Sequence, residues 1–198
     1  MDCIIIRARD KDDACECQDF GHPLTILGSG LHRTSIHGAN QLTMTPAIDT
    51  LKRLGIAHRV HAYHHDPGTT AYGQDASDQL GLDPALVFKT LVVSLDTKTL
   101  VVAVLPVSRQ LSLKALAKAA GGKKATMAEK AQAERSTGYL LGGISPIGQK
   151  RRLDTFVDHS AEALDRLFIS AGRRGLEIEL SPADLQRVTN ARFYDLVS

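Results

Sequence analysis

The sequence predicts an α+β domain on a mixed, mostly antiparallel central sheet flanked by short helices. Two β-prone apolar runs, Leu86–Leu95 and Leu100–Leu105, are separated only by Asp96-Thr97-Lys98-Thr99, a spacing that suits an antiparallel hairpin. Leu176-Glu177-Ile178-Glu179-Leu180 alternates strictly, the mark of a strand with two unlike faces. The helical segments are short and fall irregularly between such strands, unlike the regular alternation of a parallel α/β fold.

The chain order bears this out. Residues 1–43 combine an acidic patch (Asp10, Asp12, Asp13, Glu16, Asp19) with a Gly/His/Ser-rich stretch and show no sustained periodicity. They predict no packed element, and Met44 reads as the start of the folded domain, 44–198. Thr45 then offers an N-cap, with Pro46 at the first helical position, Ile48 and Leu51 on an apolar face, and Gly55 as the stop. His58–His65 reads as a strand ended by Pro67-Gly68. Its four histidines alternate between faces, so they read as edge-strand residues and not as metal ligands. Asp75–Leu80 suits a short helix, and Pro84 begins another helical turn.

Both hairpin strands are nearly continuous apolar runs, which argues for burial on two faces; Lys89 is the exception. Ser112 caps an amphipathic helix stopped by Gly121-Gly122, and Met127–Ala133 reads as a further helix. Leu153–Val157 predicts a strand. Asp158 caps a helix reaching Leu167, and Leu167–Ser170 leads into the turn at 171–175. Ser181-Pro182 opens the last helix.

Composition narrows the function. At 198 residues, with 43% hydrophobic and 23% charged, the chain suits one globular domain. No apolar run approaches the ~18 to 20 residues of a membrane span, and the start lacks a positive leader, so a cytoplasmic protein is expected. The cysteines are Cys3, Cys15 and Cys17; beyond them the chain offers neither a thiol nucleophile nor a disulfide, and no zinc spacing occurs. Residues 1–43 carry four Lys/Arg against six Asp/Glu, the remainder twenty against sixteen. The basic groups cluster at Lys114, Lys118, Lys123 and Lys124, at Lys150, Arg151 and Arg152, and at Arg173 and Arg174, which points to a nucleic-acid partner.

The stretch Gly138–Gly148 holds four glycines and a proline in eleven residues. Its Tyr139-Leu140-Leu141 run predicts a buried strand delivering a backbone cradle, the kind of structure that binds an anion or a carbonyl oxygen. No Gly-x-Ser-x-Gly elbow, Walker loop or His-Glu-x-x-His set is present. Any chemistry must therefore rest on backbone donors, Lys89 and the substrate itself, and no cofactor or metal is expected.

From Met44 to about Val197 the chain resembles the YbaK family of bacterial Cys-tRNA(Pro) deacylases, relatives of the editing domain of prolyl-tRNA synthetases. The resemblance is carried by Thr45-Pro46-Ala47, Tyr63-x-His65-Asp66-Pro67, Phe88-Lys89-Thr90-Leu91, Gln110-Leu111, Arg135–Leu140, Gly142-Gly143-Ile144-Ser145-Pro146, Gly148-Gln149-Lys150 and Arg174-Gly175-Leu176, in that order. It implies a barrel-like sheet and a trans-editing enzyme that clears Cys-tRNA(Pro), and Cys-tRNA(Cys), by letting the substrate's thiol displace the tRNA. It implies that Lys89 holds the terminal adenosine or its phosphate, and that Gly142 and Gly143 offer N–H groups to the ester carbonyl. Tyr63, Thr137, Ser145, Pro146 and Ser170 would line the substrate pocket. Glu177 stands where the family has aspartate. Lys123, Lys124, Lys150, Arg151 and Arg152 would meet the tRNA, with prolyl-tRNA synthetase as a partner in the complex. The competing readings are an editing enzyme for Ala-tRNA(Pro) and a non-catalytic binder of tRNA or of the synthetase.

Overall fold

Thr45 sets the first element of the fold, as its sequence context requires. In the computed structural model, which describes residues 44–65, 72–96 and 99–198, its side chain accepts the Ile48 N–H and starts α1 (Pro46–Arg53). Ala47, Ile48 and Leu51 are buried, and the Thr45 hydroxyl also donates to Ala171 O, tying this helix to a distant turn. The chain continues through β1 (Arg59–Ala62), α2 (Tyr72–Leu80), β2 (Val87–Leu95), β3 (Thr99–Pro106), α3 (Leu113–Ala119) and β4 (Ala125–Met127). Then come α4 (Lys130–Thr137), β5 (Asp154–Asp158), a 3-10 turn (His159–Ala163), β6 (Leu167–Ser170), β7 (Leu176–Leu180), α5 (Pro182–Thr189) and β8 (Arg192–Tyr194).

The strands form one mixed sheet in the order β1-β7-β6-β2-β3-β5-β8. Strand β2 is its axis. β3 pairs with it antiparallel along its whole length, while the other edge is shared by β6, parallel at Val87 and Phe88, and β4, antiparallel at Val93–Leu95. Side-chain alternation splits the interior into two layers. Phe88 and Val92 face a large cluster with Val102, Val104, Ile169 and Ile178, covered by Ile48 and Leu51 of α1 and Leu185 of α5. Val93 and Leu95 face the other way with Val101, Leu105 and Phe156, covered by Leu116 of α3; farther along this second face, Val87 and Phe168 pack against Ala76 of α2.

Several elements differ from the sequence expectation. The sheet is open among the described residues, with β1 and β8 at its ends, so it is not barrel-closed. Met127 belongs to β4, and the helix expected at 127–133 runs instead over Lys130–Thr137, begun at Glu129 without a side-chain cap. Lacking a capping signal, its start was set by tertiary packing of Ala133 and Thr137. No strand forms at Tyr139-Leu140-Leu141: the tyrosine is buried, but Leu140 is 71% exposed. The helix expected after Asp158 is a 3-10 turn of five residues, and Leu167–Ser170 is a strand, paired antiparallel with β7 across the turn at 171–175 and parallel with β2, which is remote in sequence. Pro84 lies in a turn, and β8 had no counterpart in the expectation. Residues 1–43, the Pro67-Gly68 turn and Thr97-Lys98 lie outside the described residues.

One contact joins the glycine-rich segment to this frame. Gly148 has φ +68, and a Cβ there would come within 2.4 Å of Pro46 O. Backbone cannot swing aside as a side-chain tip can. Gly148→Ala should therefore cost more than about 2 kcal/mol of stability, read as a shifted urea midpoint. An unchanged midpoint would show that α1 and this loop separate freely.

Candidate active site

The β2 alternation that fills the second layer also places Lys89 on that side of the sheet. Lys89 is half-buried, and its ammonium donates to Val107 O at 3.2 Å and to Arg109 O. Burial pulls its pKa below the ordinary lysine value. The parallel register pairs Phe88 with Ile169, so Lys89 and Ser170 follow at the next position of each strand, on one face. Ser170 pairs across β6 and β7 with Glu177, which in turn pairs with His61 of β1. Four strands thus line up Lys89, Ser170, Glu177 and His61.

Glu177 and Glu179 look alike in sequence yet are treated differently. Glu179 is buried but well partnered: His61 Nε2 lies 2.7 Å from one oxygen, and Arg166 and Arg59 lie 3.4 and 4.0 Å from the other. The Glu177 carboxyl is equally buried, and its Oε2 has no hydrogen-bond partner among the described residues. Desolvation raises its pKa from 4.5 to about 8. Such a group is unusual in a settled core and usual in a binding site.

Tyr63 follows β1 and is anchored through its own N–H, which donates to Gly175 O at 3.0 Å. Its ring packs beside the Val87–Phe168–Ala76 cluster. The phenol is pushed up to about 12 chiefly by burial, then by the charge of Glu177; Asp75 adds to this and a backbone hydrogen bond with Gly175 opposes it. Tyr63 therefore stays protonated and can donate. Two residues on, His65 Nδ1 and Asp75 lie 2.8 Å apart, whereas His58, at the other end of β1, meets Ile56 O at 2.7 Å.

The glycine-rich segment reaches this region through the turn between β6 and β7. Gly138, with φ 79, ends α4. Tyr139 packs on Gly172, where a Cβ would fall 2.5 Å from its ring, and its hydroxyl donates to Ile147 O at 2.7 Å. Arg174 donates to Leu141 O through Nε at 3.1 Å and Nη2 at 2.7 Å, and a Cβ on Gly143 would sit 3.0 Å from Arg173 backbone. The loop is thus pinned to the turn whose two flanks carry Ser170 and Glu177.

Its two glycines are unequal. The Gly143 N–H donates to Leu140 O at 3.0 Å, which corrects the expectation that both N–H groups stand free. The N–H of Gly142, at φ +87, has no acceptor among the described residues.

Other predicted residues lie elsewhere. The Thr137 hydroxyl donates to Ala133 O at 2.8 Å and accepts the Tyr139 N–H at 3.2 Å, closing the end of α4. Ser145 is fully buried and accepts the Ile147 N–H at 3.3 Å. Pro146 and Arg152 line a cleft of roughly 370 Å³ with Thr50 and Arg53 of α1, on the face opposite Lys89. Lys150 and Arg151 are exposed, their N–H groups bound to Thr137 O and Ser136 O. Lys123 and Lys124 are exposed at the far end of β2, their N–H groups on the Asp96 carboxylate. Sequence reasoning missed Glu179, His61 and Arg166 as a linked group, because only the β1–β7–β6 pairing brings them together.

Comparison with known proteins defines the class. The family model of the aminoacyl-tRNA editing domain matches residues 65–188. A protein of Enterococcus faecalis, provisionally named Cys-tRNA(Pro)/Cys-tRNA(Cys) deacylase EbsC, is 38% identical over 125 residues, covering 63% of this chain and 76% of its own. A crystal structure provisionally described as a trans-editing enzyme for prolyl-tRNA synthetase superposes with TM-score 0.68 at 20% identity, covering 77% of this chain and 95% of that one. A hypothetical protein of solved structure gives TM-score 0.70 at 22% identity, covering 78% and 100%. At those identities the two structures establish the fold. The chain belongs to the aminoacyl-tRNA editing domain family, in its YbaK branch, and its class of activity is aminoacyl-tRNA editing. Among the described residues no helix is long and apolar enough to cross a membrane.

The Glu177 environment has a consequence for stability. An unfolded chain releases this proton near 4.5 and the folded one near 8, so between those values the folded state binds the extra proton. Stability then falls as pH rises across that window. Glu177→Gln keeps the shape and removes the titration, so the decline of the urea midpoint from pH 5 to 8 should flatten relative to the native protein. Parallel profiles for the two proteins would mean that the carboxyl is ionised in the fold.

Proposed function

We propose that this domain, taken as residues 44–198, is a trans-editing deacylase that releases cysteine from Cys-tRNA(Pro), and from Cys-tRNA(Cys), with the substrate's own thiol as nucleophile. One observation carries the reading: among the described residues, the sheet face shared by Lys89, Ser170 and Glu177 holds a buried carboxylate oxygen without a hydrogen-bond partner but no activated side-chain nucleophile. The described residues contain no cysteine, and His61, near Ser170 in the sheet, is engaged with Glu179. A hydroxyl without a base is a weak nucleophile at neutral pH, whereas a thiol is far stronger.

In this mechanism the Glu177 carboxyl, protonated in the empty site near neutral pH, releases its proton to solvent as the substrate ammonium binds and supplies the positive partner that burial denies it. Lys89 holds the terminal adenosine or its phosphate, and Tyr63 and Ser170 line the substrate pocket. The cysteinyl sulfur, as thiolate, attacks its own ester carbonyl carbon. The carbonyl oxygen gains charge facing the Gly142 N–H, the donor left unspent. That attack forms the C–S bond. Collapse of the tetrahedral intermediate then restores the carbonyl as a cyclic thiolactone and breaks the ester C–O bond. The ribose oxygen leaves with the electron pair and takes a proton equivalent to the one the thiol gave up. Water then opens the thiolactone outside the chain's own chemistry. Prolyl-tRNA synthetase, in a complex with the tRNA, would supply the tRNA selectivity that a site reading the acceptor end lacks.

Glu177 favours a second reading. Standing where the family has aspartate, it adds a methylene to the pocket, and a smaller space suits Ala-tRNA(Pro). Binding alone separates such side chains by only ~1 to 3 kcal/mol, but alanine has no thiol to attack with. Purified protein should deacylate Cys-tRNA(Pro) at least about tenfold faster than Ala-tRNA(Pro), measured side by side with labelled amino acid. Equal rates would overturn the thiol-assisted mechanism. Lys89→Ala should lower kcat/KM by about a hundredfold, near 2.7 kcal/mol, with an unchanged circular dichroism spectrum. Full activity in that variant would reduce Lys89 to an amphipathic surface residue.

A further inference from the structure

Three basic clusters compete for the RNA in the sequence, and the fold separates them by face. Helix α3 lies on the same face of the sheet as Lys89, with Leu116 packed against Val93 and Leu105. Its outward side carries Lys114 and Lys118, one turn apart, and the Gly121-Gly122 reversal brings Lys123 alongside. These three lysines line one open groove of roughly 500 Å³, whose remaining lining is Ser112, Ala115, Ala117 and Gly122. Among the described residues no carboxylate lines it. The three ammonium groups make no ion pair among the described residues. Asp96, which borders the far end, uses its carboxylate on the N–H groups of Lys123 and Lys124.

The start of α3 is tied to the candidate active site through the chain just before it. Lys89 donates to Arg109 O, and Ser112, the cap of α3, lies three residues further on. The far end is fixed by Asp96, seven residues from Lys89 along β2, or about 23 Å at strand rise. Lysines at i and i+4 repel each other and weaken a helix, here with no acidic residue in its first turn to offset them. An extended anion removes that repulsion. By contrast, Arg53 and Arg152 line the cleft on the opposite face, away from Lys89.

We propose that the Lys114–Lys118–Lys123 groove is the track for the phosphodiester backbone of the tRNA acceptor stem as it leaves the site at Lys89. The choice of RNA rests on the deacylase reading above. The track commits the substrate to the α2–α3 face of the sheet and assigns Lys114 and Lys118 to binding.

The test uses an uncharged, fluorescein-labelled acceptor-stem minihelix, so that it does not depend on turnover. Fluorescence anisotropy over a salt series compares the native protein, Lys114→Gln/Lys118→Gln/Lys123→Gln and Arg53→Gln/Arg152→Gln. The lysine variant should bind at least tenfold more weakly near 0.1 M salt, and its salt slope should fall by about two to three. The arginine variant should stay within about twofold of native. Native-like binding by the lysine variant, or a larger loss from the arginine pair, overturns the proposal. All substituted side chains are exposed, and circular dichroism checks that each variant folds. Deacylation of Cys-tRNA(Pro) is assayed in parallel, where the lysine variant should raise KM and leave kcat unchanged. If the native protein turns over no aminoacyl-tRNA, the deacylase reading falls while the minihelix result still decides the groove.

Discussion

The period-two alternation of β2 is the constraint on which the rest of this domain depends. The strand is paired with β3 over Phe88–Leu95 on one edge and with β6 and β4 at its two ends on the other, so a shift in its register would break ladders on both edges. Phe88 and Val92 are committed to the layer under α1 and α5, and Val87, Val93 and Leu95 to the layer under α2 and α3. Lys89 falls among the second set. An ammonium in that row would be costly in mid-strand; near the strand's start it reaches the carbonyls of Val107 and Arg109. The same register that builds the core therefore sets the cation on the sheet face that also carries Ser170 and Glu177.

A second constraint is the fastening of the glycine-rich loop to the β6–β7 turn. Tyr139 against Gly172, Gly143 against Arg173 and Arg174 on Leu141 O are close contacts to backbone, which cannot adjust as side chains do. They leave the loop's conformation set by the sheet, with Gly142 carrying the one N–H of the glycine pair not used internally. Preorganised donors act best where they need not move as charge develops. The loop's glycines thus differ: Gly143 and Gly148 permit close packing, and Gly142 keeps an N–H without an acceptor among the described residues.

Much of the fold was legible in the residues. Thr45, Ser112 and Ser181 carry capping chemistry that tertiary context did not override, and each begins its helix as expected. The apolar runs at 86–95 and 100–105 are too long and too β-prone to be anything but buried hairpin strands. The failures share a cause. β4, β6 and β8 are three or four residues long, and each is defined by a partner far away in the chain, so no local pattern announces it. Tyr139-Leu140-Leu141 misled for the converse reason: its apolar character serves one buried ring, and the leucines remain at the surface.

By itself the sequence determined the domain class, the cores of the strands, the capped helices and the family motifs around Lys89 and Gly142. These depend on local periodicity, capping and composition, which neighbouring residues settle among themselves. Tertiary structure alone decided that Glu177 Oε2 has no partner among the described residues while Glu179 is bound, because both glutamates share one alternating pentapeptide and differ only in what β1 and β6 bring beside them. It alone separated the basic clusters onto opposite faces of the sheet, since charge in a sequence has no direction until a helix or turn aims it.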